Sequence, residues 1–130
     1  METKFKSQIC TTREQSERLL ALGLKKETAD MAYLWYGRAE DDSPMLMDKP
    51  SLVNQGIMTT HDLPAWSLHR LVSAITNNGI IITFIDNIVI VEKHQVFQKS
   101  YEFWDDVYDN LIDCIEWLIK EGHFNKEYLV

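Results

Sequence analysis

Fourteen residues constrain this chain more than any others: Ile80-Ile-Ile-Thr-Phe-Ile-Asp-Asn-Ile-Val-Ile-Val-Glu-Lys93. Two β-branched runs flank the dipeptide Asp86-Asn87. Asp and Asn both tolerate the positive φ of a tight two-residue turn, so the segment reads as a β-hairpin. Such a turn pairs Ile85 with Ile88, Phe84 with Val89 and Ile82 with Val91. Successive side chains point to opposite faces of a strand. One face therefore carries Ile80, Ile82, Phe84, Val89, Val91 and Lys93, and the other carries Ile81, Thr83, Ile85, Ile88, Ile90 and Glu92. Both faces are apolar, and both need cover.

The remaining elements read as follows. Residues 12–23 form a short helix, with Thr12 and Gln15 as a capping box and Leu19, Leu20 and Leu22 as its apolar side. Glu14 and Arg18 are spaced for an i,i+4 pair, and Gly23 suits the stop position. Over residues 31–37, Met31, Tyr33 and Trp35 alternate with Ala32, Leu34 and Tyr36, which favours a strand. Thr28-Ala29 could equally open a helix there. Residues 38–62 collect charge and turn signals and read as a long loop, a length that often marks function or mobility.

Asp62 and Pro64 look like the cap and first turn of a helix over 63–76, with Leu68, Leu71, Val72 and Ile75 on one side. Asn77-Asn78-Gly79 ends it. Residues 95–101 offer a third strand beside the hairpin. A helix over 103–121 turns Trp104, Val107, Tyr108, Leu111, Ile112, Ile115, Leu118 and Ile119 inward, and Gly122 stops it with Phe124 folding back.

Together these elements predict an α+β domain spanning 1–130. Its sheet is mainly antiparallel, three- or four-stranded, and packed by two long helices plus the short N-terminal one. Two long helices cover one sheet face. The other, with Ile81, Ile85, Ile88 and Ile90, must meet the short helix, the long loop or a second copy of the chain. Each such side chain gains roughly 1.5–3 kcal/mol on burial, so a homodimer is one expected outcome.

A net charge of −7 argues against direct nucleic-acid binding, which calls for a basic excess. The first residues lack the apolar core of a secretory signal, and no apolar run approaches the ~18 residues of a membrane span. A cytoplasmic chain with reduced Cys10 and Cys114, away from membranes, is the expectation.

Nothing in the motif inventory selects a catalytic centre. No serine sits in a nucleophile elbow, and the five glycines form no phosphate loop. His61, Asp62 and His69 lack the i,i+4 or Cys-x-x-Cys spacing typical of zinc, so no metal or cofactor is expected. Cys10 precedes a helix N-terminus, whose dipole could lower a thiol pKa, but no base accompanies it.

Two groups suit partners better than catalysis. Tyr33, Trp35 and Trp66 are large rings near the long loop, where an exposed aromatic would anchor a protein partner. Asp106 (or Asp105), Asp109, Asp113 and Glu116 recur at three- or four-residue steps along one helix side. Such a row could imitate nucleic-acid phosphates, although acids near a helix N-terminus also simply complement the macrodipole.

Three segments taken together carry a resemblance. They are Cys10-Thr-Thr-Arg-Glu-Gln-Ser-Glu-Arg-Leu-Leu20 with Glu27-Thr-Ala-Asp-Met31, then Leu63-Pro-Ala-Trp-Ser-Leu68, then Tyr108-Asp-Asn-Leu-Ile-Asp-Cys-Ile-Glu-Trp-Leu-Ile119. The combination resembles a family of small uncharacterised proteins of gut bacteria, often encoded in phage or other mobile elements. It spans most of the chain and departs between Glu40 and His61. The resemblance implies a fold and a mobile-element setting. It carries over no catalytic residue, and it marks Asp30-Met31 and Pro64–Leu68 as features of that family.

The leading expectation is thus a non-enzymatic interaction or accessory protein with an unidentified protein partner. The alternatives are a small enzyme or ligand-binding protein, with a site between residues 38–62 and the helix expected at Asp62, and an acidic nucleic-acid mimic using the last helix.

Overall fold

The computed structural model describes residues 8–33, 45–46, 63–85, 88–102 and 106–130. Among the described residues, three helices, α1 (Arg13–Ala21), α2 (Leu68–Ile75) and α3 (Val107–Lys120), accompany six strands. These are β1 (Met31–Tyr33), β2 (Met45–Leu46), β3 (Leu63–Ala65), β4 (Ile81–Ile85), β5 (Ile88–Lys93) and β6 (Phe97–Glu102). The strands build two antiparallel three-stranded sheets, ordered β2-β1-β3 and β4-β5-β6.

The hairpin register is the expected one: Ile85 opposes Ile88, Phe84 opposes Val89 and Ile82 opposes Val91. The turn residues Asp86 and Asn87 lie outside the described residues. β6 adds the third strand, with Tyr101 opposite Val89 and Lys99 opposite Val91.

α1 begins with the anticipated capping box. Thr12 Oγ1 accepts from the Gln15 N–H, and the Gln15 side chain accepts from the Thr12 N–H. α1 and α3 end alike. Gly23 (φ +102°) and Gly122 (φ +78°) sit in the left-handed region, and the amides after α3 bond back to Ile119 and Leu118 in a Schellman closure. Phe124 packs back as anticipated and is 5% exposed. A Cβ on Gly122 would meet nothing within 4 Å. Gly122→Ala is therefore expected to cost only the backbone term, about 1–2 kcal/mol in urea unfolding.

Three expectations need correction. The expected three- or four-stranded sheet is, among the described residues, two small sheets of three strands each, and the second long helix, expected over 63–76, is a middle helix of eight residues. Leu63–Ala65 is not the start of that helix but a strand pairing with β1. β3 is an edge strand, where the missing N–H of Pro64 costs no ladder bond. The cap of α2 is Ser67, whose Oγ accepts from the Arg70 N–H; Asp62 lies outside the described residues. Lastly, within the expected loop 38–62, Met45–Leu46 forms a short strand on β1, and the rest of that segment lies outside the described residues.

The main core lies between the helices and one face of the β4-β5-β6 sheet. Leu19, Trp66, Leu71, Val89, Val91, Leu111, Ile112, Ile115 and Leu118 are fully buried there. α2 lies against β4, while α3 lies against β5 and β6. A smaller apolar group, Cys10, Met31, Tyr33 and Ala65, fills the space around β1 and β3.

Candidate interaction surface

Because α2 and α3 take the Val89–Val91 side of the sheet, the opposite side has to be covered by something else or left open. It is left open. Ile81 is 55% exposed and Ile85 51%, and Thr83, Ile88, Ile90 and Glu92 are half-buried between them. β6 continues this face with exposed Gln98, Ser100 and Glu102, opposite Glu92, Ile90 and Ile88 respectively. The result is an aliphatic stripe across β4 and β5, bordered by Glu92 and Glu102, with no Lys or Arg among the described residues of that face.

The helix side of the same sheet is sealed by rings. Phe97 meets Trp117 edge-on at 5.1 Å and His123 at 4.6 Å. Lys99 Nζ lies over the Trp117 ring at 5.2 Å and over Tyr101 at 5.8 Å. Phe84 lies on this side by its register with Val89 and yet is 46% exposed, although the hairpin pattern assigned it to the covered face.

The other anticipated residues fall elsewhere. Trp66 and Tyr33, expected as surface anchors, are interior rings, 0% and 8% exposed, and Trp35 lies outside the described residues. Trp66 Nε1 donates to Thr28 Oγ1 at 2.9 Å, and its amide donates to Thr11 Oγ1 at 3.0 Å. Tyr33 donates to the Thr11 carbonyl at 2.8 Å. Asp30 accepts from the Ser67 amide at 2.8 Å and from its hydroxyl at 2.5 Å. That carboxylate thus joins the two segments the resemblance singled out, Asp30-Met31 and Pro64–Leu68, as a clasp holding β1 to the start of α2.

The acidic row of α3 faces α1. Asp106 caps α3 through the Tyr108 amide and, with Asp109, accepts from the Gln15 side chain at 2.6 and 2.9 Å. Arg18 donates to Asp113 at 2.5 Å and to Glu116 at 2.8 Å. Arg18 is thereby engaged by α3 rather than by the anticipated Glu14. These ion pairs are half exposed and contribute under about 1 kcal/mol each.

Chemical reactivity is muted in the described residues. Burial pushes the Cys10 thiol up, opposite to the lowering a helix dipole would give, and its Sγ contacts the Tyr33 hydroxyl at 3.7 Å. Cys114 is fully buried, and burial raises its thiol to about 12. No three His, Cys, Asp or Glu side chains among the described residues converge for a metal ion, and His61 and Asp62 lie outside them. No described helix is long and apolar enough to cross a membrane.

Compared with known protein families, with curated proteins and with solved structures, the chain matches none.

Proposed function

We propose that this protein works by binding another protein through the open face of its β4-β5-β6 sheet, without catalysis of its own. The observation that carries the reading is that stripe: Ile81 and Ile85 remain more than half exposed beside Ile88 and Ile90. Contiguous exposed aliphatics of this kind mark association surfaces. Glu92 and Glu102 border the stripe without a basic neighbour among the described residues of that face. The partner that fits is therefore an apolar patch flanked by Lys or Arg, whose charges would steer the encounter toward this acidic chain. An accessory role in a mobile element is part of the proposal and rests on the sequence resemblance alone.

The two other readings have weaker support. The carboxylates required for nucleic-acid mimicry already serve the α1–α3 contact. The site proposed for an enzyme lies, Met45–Leu46 apart, outside the described residues.

A photo-crosslinking amino acid at Ile90, introduced in cells that natively express the protein, tests the proposal. The expected result is a discrete adduct with a different protein, absent when the crosslinker replaces the exposed Glu17 on α1 and lost in Ile81→Lys/Ile85→Lys. Identical adducts from both positions, or none from Ile90, would overturn it.

A further inference from the structure

We propose that two copies of this protein pair edge to edge through β4, about a two-fold axis at Thr83. This inference concerns the strand's backbone edge and stands apart from any partner on the open face.

Among the described strands β4 is the outer one of its sheet, so one row of its N–H and C=O groups has no β partner among the described residues. Natural sheets protect such edges with charges, proline or bulges. β4, Ile-Ile-Thr-Phe-Ile, has none of these, and it leaves Ile81, Phe84 and Ile85 about half exposed. The opposite edge strand, β6, carries Lys99 and Glu102. The unprotected edge is therefore the one suited to pairing.

The sequence of β4 is nearly symmetric about its centre. An antiparallel pair with the axis at Thr83 sets Ile81 against the partner copy's Ile85 and Ile82 against its Phe84, and brings the two threonines together. Residues 81 and 85 meet on the open face, and 82 and 84 on the helix side. No other axis pairs all five residues, and hydroxyl-to-hydroxyl and apolar cross-strand pairs are favourable ones. The contact is isologous, so it closes at two copies.

Charge selects this geometry over stacking the two open faces. Each chain carries −7, and face-to-face stacking would bury Glu92 and Glu102 of both copies with no basic group among the described residues of that face to pair them. Edge pairing brings together only the uncharged β4 strands and leaves those carboxylates in water. A pair of five-residue strands falls short of the roughly 800 Å² per partner of a standard stable interface. The dimer is consequently concentration-dependent and exchanging. Pairing also sets the two aliphatic stripes side by side, doubling the apolar face offered to a partner.

Thr83→Cys tests the axis directly. Directly opposed residues of an antiparallel pair have Cα atoms roughly 4.5–5.5 Å apart, within the ~4.4–6.8 Å that a disulfide spans. The native cysteines are both buried. Oxidised glutathione, itself reduced in the exchange, should convert most of Thr83→Cys to a covalent dimer. Ser100→Cys, exposed on the other edge strand, should stay monomeric. Adding Ile90→Lys should not prevent the Thr83→Cys crosslink. Sedimentation of the unmodified chain should show mass rising toward the dimer with concentration. A strict monomer at high micromolar concentration, equal crosslinking from Ser100→Cys, or loss of the crosslink on adding Ile90→Lys would each overturn the proposal.

Discussion

Trp66→Ala is expected to lower unfolding stability by about 3–5 kcal/mol, measured by urea denaturation. Trp66 is fully buried and lies where β3 turns into α2. Truncation opens a cavity in the main core and leaves the Thr28 hydroxyl without the indole N–H it accepts. Total stability of a domain this size is on the order of 5–15 kcal/mol, so the variant should lose a large share of it. Trp66→Phe restores most of the volume but not the indole donor, and should fall between the two. A loss below about 1 kcal/mol for Trp66→Ala would mean the ring is not a core element.

The second large effect is alkaline destabilisation through Cys114. Its thiol is held at about 12 in the fold against an ordinary 9.0, chiefly because burial disfavours the thiolate and secondarily because Asp113 is near. Above pH 9 the unfolded chain gives up this proton while the folded chain keeps it. The unfolded state then binds fewer protons, so stability must fall as pH rises. The contribution is complete below pH 9 and fades toward pH 12. A difference of about three units corresponds to roughly 4 kcal/mol at most. Burial raises the Tyr101 phenol as well, and its oxygen is buried without a hydrogen-bond partner among the described residues, so Tyr101 acts in the same direction. Urea midpoints measured from pH 8 to 11 should decline steeply for the native chain and less steeply for Cys114→Ala. Parallel slopes would show that the buried thiol is not responsible.

Local signals carried much of this architecture. The β-branched runs around residues 86–87 were sufficient to place the β4–β5 register, because side-chain period and hairpin geometry act over a few residues. The capping box at Thr12 and the glycines closing α1 and α3 were legible for the same reason. The segment around Pro64 was not. Asp62-Leu63-Pro64 and Ser67 are both acceptable helix starts by local chemistry, and the choice is made by Asp30, more than thirty residues earlier, taking the Ser67 amide and hydroxyl. That contact exists only after folding.

The candidate interaction surface was half legible. Alternation put Ile81, Ile85, Ile88 and Ile90 on one face, but only helix placement decides which hairpin face is covered. Val89 and Val91 proved buried, and the opposite stripe open. The row on α3 was visible as periodic acid, yet its engagement by Gln15 and Arg18 required knowing that α1 and α3 lie together. Trp66 and Tyr33 went to the interior because Thr28 and Thr11 supply buried partners for their polar atoms.

The central claim is that the exposed isoleucines of β4 are kept for association and not for folding. Equilibrium denaturation of Ile81→Lys/Ile85→Lys at sub-micromolar concentration, below any dimer, separates the two. If the face is a binding surface, each substitution costs no more than about 1 kcal/mol, the range of strand preference alone, and the protein stays folded. A loss of about 2–5 kcal/mol per site, the cost of removing a buried aliphatic, would show that this face is core and contradict the account.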